Sequence, residues 1–228
     1  MSINVVSKID DCVKVNTVLI SVSDKTGLDD FVPGLVDINP EITILSTGGT
    51  HARISEILGD RAASTLVAVS DYTGQPETQG GLVKTLDFKI YLGLLTETYN
   101  AEHQDDMKRT GARQIDMVAV NLYPFSQTVA GPDATIENAR GNIDIGGPCM
   151  IRAAAKNFIR VASVVDPADY GMILNELNAE NGATHLATRA GLAKKAFAHT
   201  ASYDTAIGQY LAAKTDEDFL STYPEIIK

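Results

Sequence analysis

Apolar and polar positions follow two alternating patterns along this chain. Residues 15–22 form a nearly continuous apolar run rich in β-branched side chains, which is typical of a strand buried on both faces of a parallel sheet. Residues 25–36 then repeat apolar positions at the spacing of a helix. The same patterns predict further strands at residues 42–46, 66–69, 90–95, 117–122 and 161–165, and helices at residues 50–58, from residue 136 and up to residue 177.

Strands that alternate with helices favour an α/β fold with a mostly parallel sheet covered on both faces. In such sheets, ligands bind beyond the carboxyl ends of the strands. The stretch from residue 188 to 213 carries only helical spacing and predicts two C-terminal helices. We therefore expect a flexible extension over residues 1–14, one domain over residues 15–213 that is helical from about 186, and a tail over residues 214–228.

Charge and composition exclude several classes of function. The net charge of −10 over 228 residues argues against broad binding to nucleic acid or to anionic membranes. No apolar run approaches the roughly 20 residues of a membrane-spanning helix. The two cysteines, Cys12 and Cys149, lie far apart without metal-binding spacing, which favours a reducing, cytoplasmic setting. We expect neither a nucleic-acid nor a membrane partner.

Two predicted strands end in loops rich in hydroxyl groups and glycine. A glycine backbone can donate to phosphate oxygens at close range, and helix N-termini favour anions. Each loop alone is weak evidence and is better explained as a capped strand–helix turn, but two at one sheet edge favour a phosphate pocket for a mononucleotide. The residues expected to bind the phosphate are Ser23, Asp24, Lys25 and Thr26 in the first loop and Thr47, Gly48, Gly49 and Thr50 in the second.

Residues 142–157 combine an acid, a glycine pair and a lysine around one predicted helix start. Asp144 precedes Gly146 and Gly147, and Pro148 suits the first position of a helix. Free N–H groups at that helix start would face the same place as Asp144. Lys156 would lie about two turns further on, from where it can fold back along the groove or reach a neighbouring subunit.

Six motifs occur in the order that they have in one known family. They are Ser-Val-Ser-Asp-Lys-Thr-Gly (21–27), Ser-Thr-Gly-Gly-Thr (46–50), Val-Lys-Thr-Leu (83–86), Asn-Leu-Tyr-Pro-Phe (121–125), Asn-Ile-Asp-Ile-Gly-Gly-Pro (142–148) and Arg-Ala-Ala-Ala-Lys-Asn (152–157). With them, the chain resembles the inosine monophosphate (IMP) cyclohydrolase domain of the bifunctional purine-biosynthesis protein. The resemblance runs from about residue 15 to residue 210 and includes the motif at residues 195–204.

The resemblance implies a methylglyoxal-synthase-like three-layer fold and a homodimer. It also implies the last step of purine synthesis, in which 5-formamido-imidazole-4-carboxamide ribotide (FAICAR) closes to IMP with loss of water. No metal or organic cofactor is expected for this reaction. The family's folate-dependent formyltransferase domain is not expected in a chain of this length, so we expect a stand-alone cyclohydrolase and a separate formyltransferase that supplies FAICAR.

The resemblance also assigns roles to individual residues. Lys84 and Tyr123 would polarise the formyl oxygen, Asp144 would orient the carboxamide or accept its proton, and Lys156 would donate or accept the proton needed for loss of water. The division of work between the two lysines stays open. The residues expected to frame the base are Thr85, Asn121, Ile145 and Gly146.

The chain departs from the family pattern around Lys84. The family has arginine where this chain has Leu82, and histidine-proline where it has Asp87 and Phe88; a later histidine is replaced by Tyr91. Loss of the arginine would weaken nucleotide binding by about one to two orders of magnitude. The four proposed catalytic residues remain, so we expect weakened or altered activity.

Each candidate also has a structural explanation, and two other functions compete with the enzyme. Tyr123 can pack at a strand end, Asp144 can cap a helix, Cys149 can fill the core, and His199 can be a packed histidine. A nucleotide-binding regulatory module of the same fold would need the binding loops but not the catalytic residues. A methylglyoxal-synthase-like phosphate lyase would need a histidine- and aspartate-rich pattern that the chain lacks.

Overall fold

The structure is a computed structural model that describes residues 5–76, 84–132 and 134–227. A parallel sheet lies at its centre, as the apolar runs predict. Five strands form this sheet in the order β4-β3-β2-β5-β6, and β1 pairs with β7 in a separate antiparallel sheet. The strands are β1 (Cys12–Lys14), β2 (Thr17–Val22), β3 (Thr43–Ser46), β4 (Leu66–Ala68), β5 (Met117–Asn121), β6 (Ala162–Val164) and β7 (Ala183–His185).

Helices cover both faces of the parallel sheet. They are α1 (Leu28–Ile38), α2 (Gly48–Leu58), α3 (Ala62–Thr65), α4 (Val69–Thr73), α5 (Phe88–Leu95), α6 (Ala101–Thr110), α7 (Phe125–Ala130), α8 (Ile136–Gly141), α9 (Gly146–Lys156), α10 (Tyr170–Ala179), α11 (Leu186–Ala212) and α12 (Asp216–Thr222). No described helix combines the length and apolar character that a bilayer crossing requires.

Two apolar cores separate the three layers. Strand β2 contributes side chains to both cores. Val18 and Ile20 pack on the side of α1 and α10, while Leu19 packs on the side of α5 and α9. The ring of Phe31 in α1 stacks on Tyr170 of α10 with ring centroids 4.1 Å apart. The prediction of a doubly covered, mostly parallel α/β sheet is therefore confirmed, and the carboxyl ends of its strands form one edge.

The prediction of a strand at residues 90–95 is wrong. These residues lie in α5, where the Asp87 side chain accepts a hydrogen bond from the Lys89 backbone N–H at 2.8 Å and so caps the helix. The buried positions Ile90, Gly93 and Leu94 have helical spacing. A short apolar run does not distinguish a buried strand from a buried helix. Here the Asp87 cap identifies the run as a helix.

The ends of the domain also differ from prediction. Strand β1 places residues 12–14 in a sheet, so the predicted extension over residues 1–14 is too long by these residues. The two predicted C-terminal helices are one continuous helix, α11. In the predicted tail, the hydroxyl of Tyr223 donates to Glu137 at 2.8 Å and so ties the segment after α12 to α8.

A buried ion pair closes the amino edge of the parallel sheet. The Asp116 carboxylate accepts hydrogen bonds from the backbone N–H groups of Asn16 and Thr17 at 2.9 and 3.0 Å, and it pairs with Arg160 at 3.1 Å. Arg160 also donates to the carbonyls of Ile115 and Thr96. Burial raises the pKa of Asp116, and the attraction of Arg160 limits that rise.

Candidate active site

Asn121, the last residue of β5, fixes the first candidate loop at the carboxyl edge of the sheet. Its Oδ1 accepts from the backbone N–H groups of Ser23 and Asp24 at 2.7 and 2.9 Å, and its Nδ2 donates to the Asp24 carbonyl at 2.8 Å. The amide is thus occupied on both of its polar atoms. Asn121 therefore positions the loop, and the contact with the base that the resemblance implies for it stays a prediction.

The alternative explanation of the first loop, a side-chain cap on the following helix, does not hold. Helix α1 begins at Leu28, and its N-cap is Gly27 with φ +77° and no side-chain cap. The Asp24 carboxylate instead accepts from the backbone N–H of Thr26 at 2.9 Å within the loop. The Lys25 ammonium donates to the Ser23 carbonyl at 3.4 Å.

The second candidate loop adjoins the first and opens a cavity of about 260 Å³. Ser21 Oγ lies 3.3 Å from Thr47 Oγ1, and Thr50 Oγ1 bonds both backbone groups of Val22. The cavity is lined by Ser46, Thr47, Gly48, His51, Ala68, Val69, Ser70, Gln75, Pro76 and Lys84. The two loops therefore share one sheet edge, as predicted, with the start of α2 at the cavity.

Lys84 brings a positive charge to this cavity. A Cβ added to Gly48, which has φ +47°, would lie 3.0 Å from Lys84 Nζ. Glycine at this position therefore suits both the backbone conformation and the approach of the lysine. An ammonium group beside the N-terminus of α2 makes the cavity suited to an anion. Leu82, the site of the expected charge loss, lies with Gly80, Gly81 and Val83 outside the described residues.

Asp144 is held just before α9 by the backbone. Its Oδ1 accepts from the Gly147 N–H at 2.9 Å, and the backbone N–H of Tyr123 also bonds the carboxylate. Burial raises the pKa of Asp144, and these two N–H donors limit the rise. No cation is paired with this carboxylate among the described residues. Asp144 does act as a local cap, but helix α9 begins at Gly146, two residues before the predicted start at Pro148.

Thr85 connects the cavity to the Asp144 region. A Cβ added to Gly146 would lie 2.7 Å from Thr85 Oγ1, so the two residues touch. Since Thr85 follows Lys84 directly, one short segment contacts both α2 and α9. Tyr123 and Ile145 are 51% and 59% exposed beside Asp144. The structure thus brings Lys84, Thr85, Tyr123, Asp144, Ile145 and Gly146 to one edge of the sheet.

Within one chain, Lys156 lies away from these six residues. It occupies the last turn of α9 with its side chain exposed, while Asp144 precedes the first turn. Ten residue steps at 1.5 Å separate the two ends of the helix by about 15 Å. A contribution of Lys156 to the pocket of a second subunit fits this placement better than a fold-back within the same chain.

Two residues that the sequence did not single out support the site. The backbone N–H of Asp144 donates to the Tyr203 hydroxyl at 2.8 Å, and that hydroxyl donates to the Asn142 carbonyl at 3.2 Å. Tyr203 therefore fixes the backbone on both sides of residue 143, and its place in the motif at residues 195–204 was the available signal. His51 lines the cavity from the first turn of α2.

The three remaining residues that the sequence singled out, Tyr91, Cys149 and His199, lie outside the cavity at α2. Cys149 is partly buried in α9, and burial raises the pKa of Tyr91, whose hydroxyl lies near that thiol. His199 is half-buried near the ion pairs of Lys195 with Asp166 and Asp169, and burial lowers its pKa. None of these three side chains lines the cavity at α2.

Comparison with known proteins identifies the relatives of this chain. Residues 27–149 match the MGS-like domain family, and residues 154–227 match the AICARFT/IMPCHase bienzyme family. The bifunctional purine biosynthesis protein PurH of Neisseria meningitidis serogroup A is 50% identical over 208 residues, which are 91% of this chain and 38% of that protein. PurH of Magnetococcus marinus is 46% identical over 212 residues, 93% of this chain and 38% of that protein.

A solved structure extends this similarity to the fold. The crystal structure of ForH superposes with a TM-score of 0.71 at 30% identity and covers 85% of this chain and 97% of that one. The chain spans about two fifths of the length of the curated relatives it matches. The comparisons confirm the resemblance and the fold inferred from the motifs: the chain belongs to the MGS-like domain family, in the branch whose relatives include the bifunctional purine biosynthesis proteins.

Proposed function

We propose that the chain is an IMP cyclohydrolase that closes FAICAR to IMP with loss of water in the cytoplasm. The observation that carries the proposal is Asp144, a part-buried carboxylate with a raised pKa and, in the described part of the chain, no paired cation, beside the loops suited to a nucleotide phosphate. A carboxylate with a raised pKa is a stronger proton acceptor than an ordinary surface acid. The identity of 46–50% to PurH proteins supports the choice of reaction.

The phosphate would bind where α2 begins. Backbone N–H groups at Gly48 and Gly49, the Thr47 hydroxyl and the Lys84 ammonium lie in or beside the cavity, while the Thr50 hydroxyl holds this loop to β2 through Val22. Helix N-termini and glycine loops are a common phosphate site in proteins. The first loop, with Ser23, Asp24, Lys25 and Thr26, would close the ribose side, and Asn121 holds it in place.

The base would then extend toward Asp144. Thr85 and Gly146 touch at this point, and Ile145 presents an exposed apolar side chain that can cover one face of the base. In this position the carboxamide nitrogen of FAICAR lies beside the carboxylate. Tyr123 can reach the formyl oxygen from its half-exposed position, and Lys84 lies at the junction between phosphate and base.

Ring closure moves one proton from each of two nitrogens to the formyl oxygen, which leaves as water. The carboxamide nitrogen attacks the formyl carbon, a C–N bond forms, and Asp144 accepts the nitrogen's proton. The formyl oxygen takes the electron pair of its double bond, and Tyr123 and Lys84 stabilise this developing oxyanion, which then takes one proton and becomes a hydroxyl. The nitrogen of the former formamide gives up its proton and forms a C=N bond to the same carbon, while a lysine, Lys156 in our assignment, supplies the second proton with which the hydroxyl leaves as water.

The exposed position of Lys156 leads us to propose a homodimer with shared sites. In a symmetric dimer, the Lys156 side chain of one subunit would enter the pocket of the other. A separate formyltransferase would supply FAICAR to this chain. The proposed reaction uses no metal and no organic cofactor.

The direct test follows IMP formation from FAICAR with the purified chain. We expect turnover above the uncatalysed rate, strongly lowered in Asp144→Ala and Lys156→Ala. Lys108→Ala is the matched control, because Lys108 is exposed on α6 and pairs only with Asp105 in the same turn. No turnover in the wild type combined with retained purine-nucleotide binding would support the regulatory module instead.

Mixing the two inactive variants tests the shared site. If Lys156 acts in the partner's pocket, mixed dimers of Asp144→Ala and Lys156→Ala contain one pocket with both residues intact, and part of the activity returns. If Lys156 acts in its own chain, each pocket lacks one group and no activity returns. Sedimentation of the mixture confirms that dimers are present in both cases.

A further inference from the structure

Three side chains of types that can bind metal ions meet where β1 pairs with β7. They lie outside the candidate active site. Asp11, Cys12 and His185 each offer one ligand atom, and these atoms all lie within 4.8 Å of one another. Cys12 and His185 are directly paired across β1 and β7, so their side chains stand on the same face of this small sheet. The pairing joins residues 173 positions apart in sequence.

The ring nitrogen of His185 faces two ligand atoms at once. Its Nδ1 lies 3.3 Å from Cys12 Sγ and 3.1 Å from Asp11 Oδ2. An imidazole nitrogen carries either one proton or one lone pair, so a single hydrogen bond does not serve both neighbours well. In a tetrahedral zinc site, neighbouring sulfur, nitrogen and oxygen ligands are about 3.3–3.6 Å apart. The two distances are within a few tenths of an ångström of that geometry.

A second ring of contacts orients these ligands. The other oxygen of Asp11, Oδ1, accepts from the Leu186 backbone N–H at 3.1 Å, which turns Oδ2 toward His185. The other ring nitrogen of His185, Nε2, lies 3.4 Å from Glu180 Oε1. A carboxylate on the far nitrogen of a ligating histidine is the usual outer contact of protein zinc sites.

The backbone beneath the cluster is fixed by Arg189, which is fully buried in the first turns of α11. Its guanidinium donates to the carbonyl of Asp11 at 3.0 Å and to the carbonyl of Thr184. These two carbonyls belong to the two chain segments that carry the ligands. The ligand atoms are therefore held close together before any ion binds, which lowers the entropic cost of binding.

We propose that Asp11, Cys12 and His185 form a site for a divalent metal ion, with Zn²⁺ the best match to a sulfur, nitrogen and oxygen donor set. Glu180 orients His185, and water takes the fourth position. On binding, the Cys12 thiol releases its proton to solvent, because the thiolate is the ligand. The ion joins β1 to the start of α11 and stabilises the fold independently of the proposed reaction.

Cobalt titration of the full chain under reducing conditions tests the site. Co²⁺ gives a thiolate charge-transfer absorption only when a cysteine is a ligand. We expect this band to saturate at one equivalent per chain, to disappear when Zn²⁺ is added, and to be absent in Cys12→Ala and His185→Ala. Cys149→Ala is the matched control and keeps the band, because Cys149 lies in α9 outside the cluster.

Two further measurements complete the test. Zn²⁺ should raise the Tm of the wild type and leave that of Cys12→Ala unchanged, with circular dichroism confirming that the variant is folded. Glu180→Gln should weaken Co²⁺ binding by about 10–100-fold without removing the band. The proposal is overturned if the wild type shows no thiolate band, or if Cys12→Ala keeps the wild-type band and Tm response.

Discussion

Asp116 and Asp144 are two acids at opposite edges of the same sheet, and among the described residues only Asp116 is paired with a cation. Asp116 directly precedes β5 and faces Arg160 and two backbone N–H groups. Asp144 lies at the carboxyl edge with two backbone N–H donors and no paired cation among the described residues. Burial raises the pKa of both.

The difference shows that a raised pKa alone does not mark a functional acid. At the amino edge, Arg160 neutralises the charge, and its remaining donors are used by backbone carbonyls, so the group can only hold the fold together. At the carboxyl edge, the charge of Asp144 is uncompensated and part of its surface is open to a ligand. An unpaired acid beside a cavity suited to an anion lowers the stability of the fold. Such acids occur at sites where they take part in a reaction.

Asp144→Asn should give the largest effect, and that effect should be on turnover. Loss of a general base lowers kcat by about 10²–10⁴-fold. The side chain keeps its size and can still accept from the Gly147 N–H, so we expect the variant to fold and to bind IMP. Steady-state kinetics with FAICAR and calorimetric binding of IMP measure the two quantities separately. Wild-type kcat in this variant would show that Asp144 only caps α9.

Asp116→Asn should have the opposite profile, with a loss of stability and little change in turnover. Without the carboxylate, Arg160 stays buried with an unpaired charge, and breaking a buried pair in this way costs about 3–5 kcal/mol. Chemical denaturation gives the free energy of unfolding, and kcat is measured on the folded fraction at low temperature. Asp105→Asn serves as the control, because Asp105 forms only an exposed pair with Lys108. A kcat loss as large as in Asp144→Asn would remove the contrast between the two edges.

Asn121→Ala should act on binding more than on chemistry. The substitution removes three hydrogen bonds to the loop at Ser23 and Asp24, each worth about 0.5–1.5 kcal/mol net. A loosened loop would raise KM for FAICAR several-fold while kcat falls little. Asn100→Ala is the control, since Asn100 caps α6 away from the site and its loss costs about 1 kcal/mol of stability. An unchanged KM in Asn121→Ala would show that the first loop does not bind the ribotide.

Sequence patterns predicted the sheet well because its strands are buried on both faces. The runs at residues 15–22, 42–46 and 117–122 each became a strand within one or two residues of the prediction. The run at residues 90–95 failed, because a buried helix of two turns has the same composition as a buried strand. The Asp87 cap was the local signal that distinguishes them.

Contacts between residues far apart in the chain could not be predicted from the sequence. Tyr203 lies 59 residues from Asp144, and only the folded chain shows that its hydroxyl holds the Asp144 backbone. The same is true of Cys12, whose spacing from Cys149 gave no metal-binding pattern, whereas β1 and β7 bring it to His185. The sequence did place Lys156 about two turns along the helix from Asp144, but it left open whether the side chain folds back along the groove or reaches a neighbouring subunit.

The smallest predicted effect concerns how stability changes with pH. Because the folded pKa of Asp144 is raised above its ordinary value of 3.8, the folded state favours the neutral acid. This preference is fully present below the unfolded pKa and is lost as pH rises through the folded pKa. Relative to Asp144→Asn, the wild type should therefore lose stability when the pH is raised from about 4, near the ordinary pKa, to about 7.

Asp218 provides a control with the opposite sign for this measurement. Hydrogen bonds from Thr215 lower the pKa of Asp218 at the start of α12, so its contribution is present above the unfolded pKa and is lost as pH falls. Relative to Asp218→Asn, the wild type should therefore lose stability as pH falls below about 3.8 and should change little between about pH 4 and about pH 7. Denaturant unfolding of the three proteins across this range of pH measures the two differences. If the wild type does not lose stability relative to Asp144→Asn between about pH 4 and about pH 7, Asp144 does not carry the uncompensated charge on which its proposed role as a base depends.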